Sequence, residues 1–126
     1  MMHPWRIALA AAATASLLAA GPSQAHHSSA MFDKTRTVTL TGTVSQFQWT
    51  NPHSWIQVVV EDGGMPVEWS IEMGAPVELF RIGWRPATLK PGDKIVLIGN
   101  PMRDGTHGAL FVSGKRQDGS PLAKAG

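Results

Sequence analysis

The sequence contains no cysteine among its 126 residues. Disulfide bridges and thiolate chemistry are therefore excluded, and the fold has to depend on its hydrophobic core alone. Long apolar runs are also scarce. The main one, from Ile7 to Ala20, is too short to span a bilayer, and no later segment approaches a second span.

The common catalytic signatures are missing as well. The chain has no Gly-x-Ser-x-Gly elbow, no His-Glu-x-x-His and no phosphate-binding glycine loop. His53 and Ser54 are adjacent, but neighbours on a strand point to opposite faces, so they make a poor base and nucleophile. We therefore expect a binding protein rather than an enzyme, unless a bound copper ion activates oxygen.

The N-terminus has the parts of a secretory signal peptide. A short segment with one cation, Arg6, precedes the apolar run, and a Gly-Pro pair then ends any helix. Ser23 and Ala25 place small residues at the −3 and −1 positions of a signal-peptidase site. We expect residues 1–25 to be removed, which leaves a periplasmic or secreted protein that begins at His26 and has no membrane span.

The predicted mature chain has almost no excess of either charge. It carries ten Lys and Arg against nine Asp and Glu, so its net charge is about +1 with histidine neutral. Nucleic-acid binding depends on neutralising many phosphates and shows as a clustered basic face. We therefore do not expect nucleic acid as a partner.

Alternation with a period of two covers most of the mature chain and predicts strands. From Val38 to Val44 apolar residues alternate with threonine, and the apolar phase then jumps to Phe47. One long strand with a bulge near Ser45-Gln46 explains both features. Four more strands are predicted, over 54–60, 67–73, 94–99 and 109–115.

One short helix is predicted between the third and fourth strands. Pro76 suits a first helical turn, and Gly83 lies where a left-handed C-terminal cap is common. The order β-β-β-α-β-β predicts a mainly β fold, a small five-stranded OB-type barrel over 38–117, with a small open sandwich as the alternative. Residues 26–37 then form an N-terminal segment, and 118–126 form a loose C-terminal tail.

The same patterns predict which side chains face the core. Glu68 and Glu72 alternate with apolar residues in the third strand and are expected to face solvent. The helix is expected to present Val77 and Phe80 to the barrel, with Leu79 as a further candidate. Ten strand residues are expected to be largely buried: Val38, Leu40, Val44, Ile56, Val58, Trp69, Ile71, Ile95, Leu97 and Val112.

Asn51-Pro52-His53-Ser54-Trp55 is the most distinctive motif of the chain. It is accompanied by His-His-Ser at 26, Glu-Trp at 68, Met-Gly at 73, Gly-Trp at 83 and Lys-Pro-Gly-Asp at 90. Together these motifs resemble a family of small exported bacterial proteins catalogued only as a domain of unknown function. The resemblance covers nearly all of the mature chain and supports the export signal, but it implies no established activity.

The new N-terminus predicts a copper site. An N-terminal histidine, here His26, can chelate a metal through its α-amine and ring Nδ1, and a second imidazole completes a nitrogen set that suits Cu(II). His53 is the preferred second imidazole because it lies in the turn between two long strands, whereas His107 lies in a glycine-rich loop. His27 could bind only by a separate chelate geometry or by bridging. The alternative is that the two N-terminal histidines form a mobile, solvated end.

Two methionines form a weaker metal hypothesis. Met31 and Met102 carry thioether sulfur, a soft ligand that suits Cu(I). Methionine more often fills space in a core, so this pair ranks below the histidines.

A different class of function is a metal-free OB-type adaptor that binds a peptide, a glycan, a small ligand or a protein partner. OB barrels can use exposed aromatic side chains as a binding platform. Trp55, beside His53, is the best exposed candidate of this kind. The expected binding surface on strands one to three consists of Trp49, Trp55, Gln57 and Glu68.

Overall fold

Five strands and one short helix follow each other in the predicted order. The computed structural model describes residues 29–123. The first element of this range is a 3-10 turn at Ser29–Met31, and helix α1 (Pro76–Arg81) lies between the third and fourth strands. The strands are β1 (Val38–Gln48), β2 (Trp55–Asp62), β3 (Met65–Glu72), β4 (Lys94–Pro101) and β5 (Gly108–Arg116).

The strands close into a barrel in the order β1-β2-β3-β5-β4, and β4 pairs back with β1. All neighbouring strands are antiparallel except β3 and β5, which run parallel over 70–72. A closed five-stranded barrel with its helix between β3 and β4 is the OB-type fold predicted from the sequence. Because the barrel is closed, the open sandwich is excluded.

Strand β1 is long enough to pair with both β2 and β4. Its register with β2 shifts between Val44 and Gln46, which confirms the predicted bulge. Gly42 lies close to this bulge, and a Cβ at this position would collide with the Val59 carbonyl oxygen of β2. Glycine therefore permits the close approach of the two strands.

The core follows the predicted alternation closely. Val38 and Trp69 are only partly buried, and both pack against the core cluster. The structure buries the other predicted core residues except Val112. The confirmed core positions are Leu40, Val44, Ile56, Val58, Ile71, Ile95 and Leu97.

The prediction for Val112 is wrong, because this side chain is 51% exposed. The register between β4 and β5 shifts at this point. Phe111 and Ser113 pair with consecutive residues of β4, so Val112 falls at an irregularity between them. Ala109 is buried and Phe111 packs against the core, so alternation turns Val112 outward; because residues 109–112 are all apolar, the sequence does not show which phase faces the core.

Helix α1 ends as predicted but packs differently. Gly83 has a φ of 94°, its N–H donates to the Phe80 carbonyl, and the Trp84 N–H donates to the Leu79 carbonyl. These bonds form a left-handed C-terminal cap. Of the expected apolar stripe only Leu79 is buried, whereas Val77 and Phe80 are exposed. A helix of six residues makes fewer than two turns, so little more than one of its side chains can face the barrel.

The C-terminal tail predicted over 118–126 is not loose where the structure describes it. Leu122 is buried in the core cluster, and Pro121 forms a β-bridge with Lys115. Gly114 leaves room for this packing, since a Cβ there would lie 2.9 Å from Leu122 Cδ1. Ala123 packs against the same cluster, and the Arg116 N–H donates to the Ser120 carbonyl at 2.8 Å, so these contacts hold the segment against the barrel.

Candidate functional site

Two neighbouring clefts share the side chains of Phe32 and Glu72. The first, called the His53 cleft, has a volume of about 230 Å³ and is lined by Ser29, Phe32, His53, Glu72, Met73, Gly74, Leu79, Ile82, Trp84, Leu110 and Phe111. The second, called the His107 cleft, has a volume of about 310 Å³ and is lined by Met31, Phe32, Trp55, Ser70, Glu72, Met102, Thr106, His107 and Gly108.

The N-terminal segment forms part of both clefts because it is attached to the end of β4. Phe32 forms an antiparallel bridge with Met102, and the Asp33 N–H donates to the Pro101 carbonyl at 2.8 Å. The Thr35 hydroxyl and backbone N–H donate to the Asp33 carboxylate and hold its pKa below the usual value. This turn fixes the chain just after Phe32, whose buried side chain separates the clefts.

Glu72 does not face solvent as predicted. It lies on the outer face of β3, opposite Trp55 of β2, yet it is only 4% exposed. Its surroundings include Phe32 of the N-terminal segment, which lines the same two clefts, and Leu110 of β5, which pairs with it. Within residues 29–123 the carboxylate accepts no hydrogen bond, and the one basic side chain with a nitrogen within 4 Å is His53, whose Nδ1 lies 3.6 Å from Oε1.

His53 is held by the backbone on both sides of its loop. The Ser54 N–H donates to the Gly74 carbonyl at 3.0 Å, and the Met73 N–H donates back to the Ser54 carbonyl at 2.9 Å. The Thr50 hydroxyl donates to the His53 carbonyl at 2.8 Å. The ring itself is about one-third exposed, at 34%, so it is positioned on a rigid frame but open to the cleft.

One ring nitrogen of His53 already has a partner. Nδ1 lies 3.1 Å from the Met73 carbonyl oxygen, and because a carbonyl can only accept, Nδ1 carries the proton of this bond. In the neutral ring the lone pair is then on Nε2. Among the described residues no hydrogen bond to Nε2 is present, so the lone pair of this nitrogen has no partner there.

Of the other histidines predicted as metal ligands, the structure describes only His107, and it borders a different cleft from His53. His26 and His27 lie outside the described residues, although Ser29, three residues after His26, borders the His53 cleft. His107 is exposed and borders the other cleft, with its ring centroid 5.2 Å from that of Trp69. In the described part of the chain no three His, Cys, Asp or Glu side chains converge.

The two tryptophans of the expected adaptor surface have different surroundings. Trp55 borders the His107 cleft. Trp49 packs against the core and contacts Phe47 edge to face, with ring centroids 5.9 Å apart. Only Trp55 is therefore available at a cleft.

The two polar residues of that surface take part in internal hydrogen bonds. The Gln57 side chain donates to Gln48 Oε1 at 2.9 Å and accepts from the Ser70 hydroxyl at 2.6 Å. The exposed Glu68 carboxylate accepts from the Ser45 hydroxyl at 2.9 Å. These bonds tie β1, β2 and β3 together on the outer face of the barrel.

Phe32 and Glu72 form the wall that the two clefts share, and neither is predicted from the sequence as a site residue lining a cleft. Phe32 could have been noticed, because it is a large apolar side chain that precedes the first strand and belongs to no alternating run. Glu72 could not, because its alternation is that of an ordinary outward strand residue.

Comparison with known proteins identifies a family but no activity. The mitochondrial single-stranded DNA-binding protein Rim1 of S. cerevisiae is similar in structure, with a TM-score of 0.49 and 10% sequence identity; the match covers 65% of this chain and 94% of that one. No curated protein matches the chain. No helix within 29–123 has the length and apolar character to cross a membrane. The model of a family of unknown function, DUF6152, matches residues 13–111, and the chain belongs to this family.

Proposed function

We propose that this protein is an exported, periplasmic copper-binding protein that holds Cu(II) at the His53 cleft, with His26 as an N-terminal chelating ligand. The observation that supports this proposal is the 3.1 Å hydrogen bond between His53 Nδ1 and the Met73 carbonyl. Histidines that bind metals usually donate their other ring N–H to a carbonyl or carboxylate, which orients the ring and makes it a better ligand. His53 has this arrangement before any metal binds.

The distance along the chain also favours the pairing. Cleavage after Ala25 would make His26 the first residue, three positions before Ser29 on the rim of the cleft. Three residues span at most about 10 Å, so His26 would lie near the cleft that contains His53. His27 would be the bridging or secondary ligand.

The chemistry of the donor set favours Cu(II). The α-amine and Nδ1 of His26 with Nε2 of His53 would form a set of three nitrogen ligands, which suits a tetragonal Cu(II) ion. Copper also binds such ligands more strongly than the other divalent first-row metals do. Because the amine and both rings must be deprotonated, binding should weaken as the pH falls.

The first test is the start of the exported protein. Intact mass of the periplasmic form should correspond to residues 26–126. Any other start removes the α-amine from His26 and contradicts the proposed chelate.

The second test separates the chelate from an ordinary histidine site. Inserting one Ala between Ala25 and His26 keeps both imidazoles but removes the terminal chelate, so Cu(II) affinity measured by competition should fall at least 100-fold. His53→Gln should reduce affinity by about tenfold, because the two-point chelate survives. His107→Gln is the matched control and should bind as wild type does.

Two results would contradict the proposal. If the Ala-extended protein binds Cu(II) as tightly as the mature one, the site is an ordinary surface histidine site. If neither form binds Cu(II), the metal-free adaptor becomes the better interpretation, and Trp55 at the His107 cleft is the place to look for its ligand.

A further inference from the structure

We propose that the His107 cleft is a separate site for a soft monovalent cation, Cu(I), with Met31, Met102 and His107 as its ligands and Glu72 as its counter-charge. This site shares a wall with the His53 cleft but none of the ligands proposed for Cu(II), so it does not depend on that proposal. It extends the function from one oxidation state of copper to both.

The first observation is that three separate segments bring their donors to one cavity. Met31 lies in the 3-10 turn, Met102 follows β4, and His107 precedes β5. All three line the same cavity of about 310 Å³. Neither methionine belongs to the buried core cluster, so the usual role of methionine, filling a core, does not account for them.

The second observation is that backbone hydrogen bonds connect these segments. The Arg103 N–H donates to the Met31 carbonyl at 2.9 Å, and the Met102 N–H donates to the Gly108 carbonyl at 3.0 Å. The Arg103 side chain adds a bond from Nε to the Ala30 carbonyl at 2.9 Å. The two methionines and the loop that carries His107 are therefore held in one framework, as a preorganised metal site requires.

The third observation concerns the position of the Met102 side chain. A Cβ at Gly108 would lie 3.0 Å from Met102 Cγ and 3.7 Å from its sulfur. The thioether therefore passes directly over Gly108, the residue that follows His107. Because Gly108 has no side chain, the Met102 side chain can occupy the space above it.

The fourth observation is the charge of the wall. Glu72 is buried, and within the described range its carboxylate accepts no hydrogen bond. The nearest ring N–H, that of His53, is directed at the Met73 carbonyl instead. A buried carboxylate is costly unless a cation or a hydrogen-bond donor compensates it. A cation in the cleft would supply this compensation.

The donor types decide which cation fits. Thioether sulfur is a soft ligand that selects Cu(I), and imidazole also suits copper. Calcium and magnesium need several oxygen ligands, whereas the cleft offers a single carboxylate. A monovalent ion also matches the single negative charge of Glu72.

The experiment uses Ag(I), a soft monovalent cation that does not change oxidation state, on the exported protein purified from the periplasm. Wild type should bind Ag(I) in competition titrations, and the methyl NMR signals of Met31 and Met102 should shift in step with binding. Met31→Leu and Met102→Leu keep the side-chain volume but remove the sulfur, and each should lower the affinity at least tenfold. Cu(I) under anaerobic conditions should follow the same order.

The controls separate this site from the others. Met65→Leu changes an exposed methionine of the β2–β3 hairpin and should leave Ag(I) affinity unchanged. Glu72→Gln should lower the affinity several-fold, because it removes only the charge. His53→Gln and the Ala-extended protein should keep Ag(I) affinity while their Cu(II) affinity falls by about tenfold and at least 100-fold, so either proposal can fail alone.

Two outcomes would overturn the proposal. One is Ag(I) binding that both Met→Leu variants retain, which would assign the ion to another part of the chain. The other is wild-type methyl signals of Met31 and Met102 that do not move on saturation with Ag(I). The second outcome is measured on the wild-type protein. It can therefore overturn the proposal even if the Met→Leu variants fail to fold.

Discussion

His53 Nδ1 lies 3.6 Å from Glu72 Oε1, beyond hydrogen-bond distance. The ring N–H is directed instead at the Met73 carbonyl, 3.1 Å away. Glu72 thus stands between two clefts with an electrostatic neighbour but no hydrogen bond from the described residues. The arrangement orients the histidine and leaves a negative charge at the boundary of both proposed sites.

The first prediction concerns the stability of this wall without metal. Glu72→Gln removes the charge of a residue that is only 4% exposed and accepts no hydrogen bond within residues 29–123, so the free energy of unfolding should rise by about 1 kcal/mol. Urea denaturation of the metal-free protein at neutral pH measures it. Glu68→Gln, on the exposed part of the same strand face, is the control and should change stability by less than about 0.5 kcal/mol. A loss of more than about 1 kcal/mol in Glu72→Gln would show that the carboxylate and a protonated His53 form a stabilising pair.

The strands, the helix and the barrel could be predicted from the sequence because burial alternates locally along each strand. Ile56 and Val58 are buried as the alternation requires, and Pro76 and Gly83 bound the helix region as expected. Successive side chains of a strand point to opposite faces of the sheet, so the order of apolar and polar residues along the sequence predicts which side chains face the core.

The candidate site depends on contacts between distant segments, which local patterns do not contain. Glu72 has the alternation of an exposed strand residue, yet it is buried in a wall that includes Phe32 of the distant N-terminal segment. Likewise the sequence indicates His53 and His107 as ligands but not that they border different clefts. Met31 and Met102 are brought to one cavity because the N-terminal segment is bridged to the end of β4 at Phe32 and Met102.

The second prediction tests the packing of the C-terminal segment. Leu122→Ala removes a buried side chain from the core cluster and should lower the free energy of unfolding by about 2 to 3 kcal/mol. Val112→Ala removes an exposed side chain and should cost less than about 1 kcal/mol. Chemical denaturation of both variants gives the comparison. The reverse order would mean that Val112 faces the core and that the tail is loose.

The third prediction is a pH dependence at the turn before β4. The Lys90 backbone N–H and, to a lesser extent, Arg116 lower the pKa of Asp93 below its usual value of 3.8. A lowered native pKa stabilises the fold fully above the unfolded value, and this contribution is lost as the pH falls through the native pKa. Asp93→Asn, which loses the 3.1 Å ion pair with Arg116, should therefore cost about 1 kcal/mol at neutral pH and progressively less below about pH 4.

Urea denaturation between neutral and acidic pH measures this difference. Asp62→Asn, at the exposed end of β2, is the matched control and should change stability by less than about 0.5 kcal/mol. If the cost of Asp93→Asn stayed constant down to about pH 2, the ionised carboxylate could not be its source.

The fourth prediction tests the geometry of the His107 cleft without removing a ligand. Gly108→Ala would place a Cβ 3.0 Å from Met102 Cγ, so the thioether must shift by a few tenths of an ångström. Because that side chain is flexible, the free energy of unfolding should fall by less than about 1 kcal/mol, while Ag(I) affinity should fall several-fold.

Gly99→Ala is the matched control, since its Cβ would lie 2.8 Å from the Ala109 Cβ in the wall between β4 and β5. Gly99→Ala should cost about 1 to 3 kcal/mol of stability and leave Ag(I) affinity in the folded protein unchanged. Equal Ag(I) affinity in Gly108→Ala and wild type would show that the position of Met102 does not matter to the ion.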